Sequence, residues 1–303
     1  MRVTFLGTAA ARPTVSRNVS SLIVQREGEH LMFDCGEGTQ RQMMRFGTGF
    51  ALDDIFFTHL HADHFLGIIG LLRTMGLQGR EEAVTLWVPP GGERVMRAAV
   101  NLGVDRVPFE VRITELTAGD AVERKDYSIV PYPASHAGAC FGYAIIEKMR
   151  LGRFDPERAR ELGIPEGPDW GRIHRGESVC VGDRTIEAGE VVGKPRPGRK
   201  VVCTGDTRPT AETVEMAASA DLLIHEATFG QEERVRAHQT GHSTAREAAK
   251  VARDASALRL CLTHFSPRYS DDPRLLEREA RKIYPTAIAA HDGLTVDVPY
   301  RDE

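Results

Sequence analysis

Thr58 to His64 reads THLHADH, between the apolar run DDIFF at 53–57 and the run FLGIIGLL at 65–72. An apolar β-type run before it and a helical pattern after it make this heptad a strand-to-helix turn. His59 and His61 lie two apart, so in extended backbone they point the same way and can hold one ion together. Asp63 and His64 follow where the chain turns into the helix and can face a second ion. These four residues cannot close two sites of about four to five ligands each, so others are needed. His136 in PYPASHAG, Asp206 in VVCTGDT and His264 in LCLTHFS are the candidates. Each follows an apolar β-type run, the place where open α/β sheets gather their site residues. His30, His174, His238 and His291 have no such placement and read as structural.

Five imidazoles with only two carboxylates leave a pair of divalent ions net positive, which favours a bound phosphodiester anion. Zinc is the ion such a His-rich set favours, with Mn²⁺ or Fe²⁺ as other occupants.

Outward from the heptad, strand-like runs lie at 2–6, 20–25, 31–34, 54–57, 84–88, 128–132 and 142–146, and again at 200–204, 221–225, 259–263 and 286–290. Helical patterns cover 65–77, 93–102, 210–219, 244–254 and 273–283, several opened by a Ser, Thr or Asp cap. Strands followed by helices, then the same order again, predict an α/β sandwich with two sheets face to face and helices outside. With 303 residues, 41% of them hydrophobic and 27% charged, the chain can bury a full core as a single domain, 1–303. No apolar stretch is long enough to span a bilayer and no leader pattern opens the sequence, which predicts a cytoplasmic protein. The five cysteines lack C-x-x-C spacing, so neither a disulfide framework nor a cysteine zinc site is indicated.

Net charge is −4, so bulk electrostatics give no support to a nucleic-acid partner. Residues 148–200 differ, with 12 Lys/Arg against 9 Asp/Glu. They also break the strand-helix rhythm, with a helical stretch at 156–162, the punctuation of Gly163, Pro165, Gly167 and Pro168, and the basic run KPRPGRK. This segment reads as an inserted arm.

H-x-H-x-D-H at 59–64, a separate His136, Asp206 in a G-D-T turn and a final His264 together resemble the metallo-β-lactamase superfamily over essentially the whole chain. The resemblance implies an αββα sandwich with an inserted flexible arm and two Zn²⁺ ions per chain. His59, His61 and His136 would hold the first ion, Asp63, His64 and His264 the second, and Asp206 would bridge them. Asp34, in FDCGEG, matches an early aspartate that supports the site without ligating. HEATF at 225–229 and GHST at 241–244 resemble the paired Glu and His of the ribonuclease Z (tRNase Z) family, short form, and PTVSRNVSS at 13–21 resembles its substrate loop. IPEGPDWGRIHRGESV at 164–179 resembles the arm by which that family grips precursor tRNA, across a homodimer. The resemblance thus implies a zinc-dependent endoribonuclease that removes the 3′ trailer from precursor tRNA. Asp63 would orient and deprotonate the attacking water, and His242, oriented by Glu226, would protonate the leaving 3′ oxygen. Arg17, Asn18, Arg172 and Arg175 would touch substrate. Two rivals share the fold: a hydrolase of small phosphodiesters or sulfate esters, and a non-catalytic RNA-binding protein. Retention of all seven ligand positions argues against the second.

Overall fold

The structure is a computed structural model that describes residues 1–269 and 272–301. It divides into two compact units, one of residues 1–124, 128–146 and 199–299, the other of residues 125–127 and 147–198 with the described end of the chain from Tyr300.

The first unit holds two seven-stranded sheets. In one, the spatial order is Thr295–Asp297, Arg2–Gly7, Ser21–Arg26, Glu29–Phe33, Asp54–Phe56, Val84–Val88 and Val111–Glu115. It is antiparallel up to Glu29–Phe33 and parallel from there on. The other runs Ile288–Ala289, Leu260–Thr263, Leu222–Glu226, Lys200–Cys203, Phe141–Glu147, Tyr127–Pro133 and Val122–Glu123, with its first four strands parallel. The inner faces meet through aromatic side chains: the Tyr143 ring lies 5.5 Å from both Phe33 and Phe56, and its hydroxyl donates to the Phe57 carbonyl at 2.9 Å. Burying a tyrosine here requires that partner for the hydroxyl.

Helices cover the outer faces. Met43, Leu71, Leu72, Met75 and Met96 pack over Ile23, Met32, Ile55 and Leu86 of the first sheet. On the second, the helix Ala245–Asp254 presents Ala245, Ala248, Ala249 and Ala252 toward Leu223, Leu260 and Leu262. Side chains this small let the helix approach the sheet closely, and Leu276 and Ala280 complete the layer. The result is the expected αββα sandwich. The parallel strands Glu29–Phe33, Asp54–Phe56, Lys200–Cys203, Leu222–Glu226 and Leu260–Thr263 deliver to the site Asp34, His59, Asp206, Glu226 and His264, each at a strand end or just beyond it. No helix among the described residues is long and apolar enough to cross a membrane.

Every expected strand is present, some trimmed or extended by a residue or two, and the expected helices keep their places. The helical pattern from 65 splits into Ala62–Phe65 and Ile68–Leu77. At the break, a Cβ on Gly67 would lie 1.9 Å from the Gly36 carbonyl oxygen, so only glycine permits this close approach. The strand Val111–Glu115 and the helix Thr39–Phe46 carry no such clear pattern: the first is mostly exposed, and the second is polar apart from its methionines and Phe46.

The second unit has a small core of its own, built from Ala159, Ile164, Ile173, Val179, Ile186 and Val191. Two helices, Pro156–Glu161 and Pro168–His174, and the hairpin of Val179–Val181 with Arg184–Ile186 surround it. The Trp170 indole N–H donates to the Ile164 carbonyl at 3.1 Å, and His174 Nε2 donates to the Gly152 carbonyl at 3.0 Å. The insertion therefore carries more regular structure than its punctuated sequence suggests.

Candidate active site and metal centre

Asp54–Phe56 ends just before the heptad, and the helix Ala62–Phe65 opens with His61 in extended backbone as its N-cap. This conformation sends His59 and His61 toward the same space while Asp63 and His64 enter from the first helical turn. The ligand atoms of His59, His61, His136 and Asp206 all lie within 4.8 Å of one another, as do those of Asp63, His64 and His264. Asp206 stands between the two groups. Its Oδ2 is 3.7 Å from His59 Nε2 and 3.4 Å from His64 Nε2, and its Oδ1 is 3.3 Å from His264 Nε2. His61 Nδ1 and His136 Nε2 are 3.1 Å apart. The seven candidates, spread over 206 residues of chain, form one cluster.

His59 Nε2 and Asp206 Oδ1 are buried without any hydrogen-bond partner. Leaving a desolvated polar atom unpaired costs about 1–3 kcal/mol, so two side by side among imidazoles and carboxylates mark a place that a cation would satisfy. The donor set, five ring nitrogens and two carboxylates, fits divalent ions of the zinc type.

Supporting residues set the ring tautomers. Asp34 accepts from the Thr58 hydroxyl at 2.9 Å and from His64 Nδ1 at 2.7 Å, which leaves His64 Nε2 facing the cluster. With its own proton committed to Asp34, the Thr58 hydroxyl can only accept from His59 Nδ1, at 3.0 Å. The same chemistry recurs on the other side. The Thr228 hydroxyl donates to Glu226 at 2.6 Å and accepts from His264 Nδ1 at 2.9 Å, freeing His264 Nε2. Asp34 and His264 both take left-handed backbone, φ 57° and 58°, a conformation kept where the surroundings enforce it. His136 Nδ1 donates to the Gly241 carbonyl at 2.9 Å; Gly241 has φ 80°, and a Cβ there would lie 2.7 Å from that nitrogen.

Burial, helped by the nearby His64, pushes the His59 imidazole well below its ordinary value. Burial opposes ionisation of Asp63 and Asp206, yet the surrounding histidines hold both carboxyls well below the usual range. Asp63 Oδ2 also accepts the Ala11 backbone N–H at 2.7 Å.

Glu226 and His242 form a pair at the edge of the cluster, Nδ1 to Oε1 2.8 Å. The Thr207 N–H also donates to Glu226 Oε1, at 2.9 Å. Burial disfavours the charged imidazole of His242, but the Glu226 carboxylate more than offsets this and carries it up to about 9. An open cleft of about 650 Å³ runs over His61, Asp63, His136, His242 and His264, with Arg12, Arg236 and Arg268 along its sides. Among sequence-stretch candidates for substrate contact, Arg17 and Asn18 do not line this cleft. Arg17 is buried, its NH1 donating to the Thr8 hydroxyl at 2.7 Å and the Ala290 carbonyl at 2.8 Å, with its guanidinium over the Phe265 ring. It ties its loop to the interior instead of facing RNA. The Asn18 N–H donates to Asp292. Arg172 and Arg175 are exposed on the second unit and ion-paired with Glu177. The cleft arginines had no sequence signal, being isolated; Thr228 stood inside HEATF and could have been read as the link from Glu226 to His264.

Two face-to-face sheets with a seven-residue His/Asp cluster at their strand ends define a hydrolase of the metallo-β-lactamase type. Residues 180–265 match a family described as Beta-lactamase superfamily domain, and residues 1–98 match one described as Anti-Pycsar protein Apyc1. Ribonuclease Z of Gemmatimonas aurantiaca is 57% identical over 99% of this chain and 97% of its own length, and that of Myxococcus xanthus 52% identical over 100% and 99%. The crystal structure of the short form of human tRNase Z superposes with a TM-score of 0.72 at 27% identity, covering 99% of this chain and 100% of that one. The chain belongs to the ribonuclease Z family.

Proposed function

We infer that the protein is an endoribonuclease that cuts the 3′ trailer from precursor tRNA, leaving a tRNA 3′-hydroxyl and a 5′-phosphorylated trailer. The observation that carries this reading is the Glu226–His242 pair at 2.8 Å beside the seven-residue cluster, in a cleft flanked by arginines. Such a cleft offers phosphate contacts, a ligand set and a proton donor together.

Two Zn²⁺ ions, held by His59, His61 and His136 and by Asp63, His64 and His264 with Asp206 shared, would supply Lewis-acid stabilisation of the phosphoryl oxygens and lower the pKa of water. Asp63, steadied by the Ala11 N–H, orients the attacking water and takes its proton. The water oxygen forms the new bond to phosphorus as the bond to the 3′ oxygen breaks. His242, whose Nδ1 donates to Glu226, delivers a proton from its other ring nitrogen to that departing oxygen. Residues 148–200 act as the tRNA-binding arm, with Arg172 and Arg175 exposed for phosphate contacts; the likeness of 164–179 to the family's arm supports this role. The working form in this reading is a cytoplasmic homodimer.

The test is incubation of the metal-loaded protein with one 3′-extended tRNA transcript and mapping of both new ends. A single cut at the trailer junction with the stated termini is expected. Hydrolysis of a small diester with no cut in the transcript would overturn the reading.

A further inference from the structure

Arg208 follows the Asp206 turn and is half-buried, away from the reacting atoms, yet it holds both segments that carry His136 and His242. Its backbone N–H donates to the Ser135 carbonyl at 3.0 Å, and its NH1 to the Ser135 hydroxyl at 3.4 Å, directly before His136. Its Nε donates to the His238 carbonyl at 2.7 Å, at the end of the helix Arg234–Thr240. That helix leads straight into Gly241, whose carbonyl takes His136 Nδ1, and into His242. Three contacts from one residue thus fix the ligand loop and the donor loop relative to each other. The planar guanidinium supplies two of the three, one to each loop, and its donors keep a rigid mutual geometry.

We propose that Arg208 is a positioning residue for the cleavage reaction: it sets the separation between His136 and His242, and so the aim of the proton donor. The proposal rests on the function inferred above. It also explains why a charged side chain is kept in a partly buried place where its acceptors among the described residues are a hydroxyl and a carbonyl that must be held in place. The outer side of Arg208 lines an open cleft with Thr210, Arg234, His238 and Lys250, so a small ion has access to the space its side chain would vacate.

The test compares wild type, Arg208→Ala and Arg208→Lys in steady-state cleavage of a 3′-extended precursor tRNA, each with metal content and thermal unfolding measured. A misaimed donor costs rate and not affinity, so Arg208→Ala should lose about 10²-fold in kcat with KM held. Millimolar guanidinium, but not the same concentration of sodium chloride, should restore part of the rate. Arg208→Lys has the charge but not the fork, and should also lose kcat at unchanged KM. Two results would overturn the proposal: wild-type kcat in both variants, or a lost kcat that guanidinium leaves unrestored and that falls in step with metal content. Should Arg208→Ala not fold, the Arg208→Lys result decides alone, wild-type kcat being the negative outcome. No cleavage by the wild type would sink the inferred function instead, which keeps the two failures distinct.

Discussion

Replacing Glu226 with glutamine keeps the size of a fully buried side chain and removes its charge. Four hydrogen bonds converge on this carboxylate: the Thr207 N–H at 2.9 Å and His242 Nδ1 at 2.8 Å on one oxygen, the Thr228 N–H at 3.2 Å and hydroxyl at 2.6 Å on the other. Glutamine offers one oxygen and one NH₂. If the oxygen stays with Thr207 and His242, the NH₂ faces the Thr228 N–H; in the flipped orientation it faces the other two donors. Either way a buried donor goes unpaired, a loss of about 1–3 kcal/mol in stability. The rate effect is larger in consequence. Without the carboxylate, burial is free to disfavour the charged imidazole, and the loss of general-acid catalysis is roughly 10²–10⁴-fold. Single-turnover cleavage of a 3′-extended tRNA measures this, beside thermal unfolding and metal content. Because the pair acts as one unit, the double variant with His242→Ala should be no slower than His242→Ala alone. Wild-type cleavage by Glu226→Gln, or losses that simply multiply in the double variant, would refute the pairing argument.

Deletion of residues 150–195 should abolish precursor tRNA cleavage and spare hydrolysis of bis-p-nitrophenyl phosphate; unchanged tRNA processing would remove the arm from the mechanism. Asp34→Asn tolerates the left-handed backbone but weakens the hold on His64 and Thr58, so metal affinity should fall roughly 10–100-fold in competition with a chelator. Glu247 caps the helix Ala245–Asp254, accepting the Thr244 N–H at 3.0 Å; burial opposes its ionisation, but Thr244, His238 and Arg234 hold its carboxyl below the ordinary value. A depressed folded-state pKa stabilises above the unfolded value and is lost as pH falls through the folded one. Denaturant titrations should therefore find Glu247→Gln less stable than wild type by about 1 kcal/mol at neutral pH, with the gap closing as the pH drops below about 4.

The sandwich was legible because its inner strands are continuous apolar runs, a pattern that survives without knowledge of partners. The edge strand Val111–Glu115 was not, since most of its side chains face solvent, and the helix Thr39–Phe46 was hidden by polar residues over a narrow buried stripe of Thr39, Gln42 and Met43. The clustered residues could be read because His59, His61, Asp63 and His64 share one short turn, while His136, Asp206 and His264 are each a lone coordinating side chain just past an apolar run. Glu226 and His242 could be found only through likeness to HEATF and GHST, since nothing local says they meet. Arg17 entered only through the likeness of PTVSRNVSS to a substrate loop, which says nothing of burial, and here the Thr8 hydroxyl, the Ala290 carbonyl and the Phe265 ring draw it inward. Arg208 and the cleft arginines left no trace at all, because an isolated arginine has no periodicity and its role lies in which carbonyls surround it.

A Cβ on Gly198 would lie 2.5 Å from that of Glu147, so the inserted segment leaves and rejoins the polypeptide at nearly one point, beside the paired residues Ile146 and Lys200. Because neighbouring strands already bring those attachment points together, an insertion of a different length adds little closure entropy. Natural variation, or an engineer, can therefore exchange this segment for another of different size while the strands that carry the clustered histidines and aspartates keep their pairing.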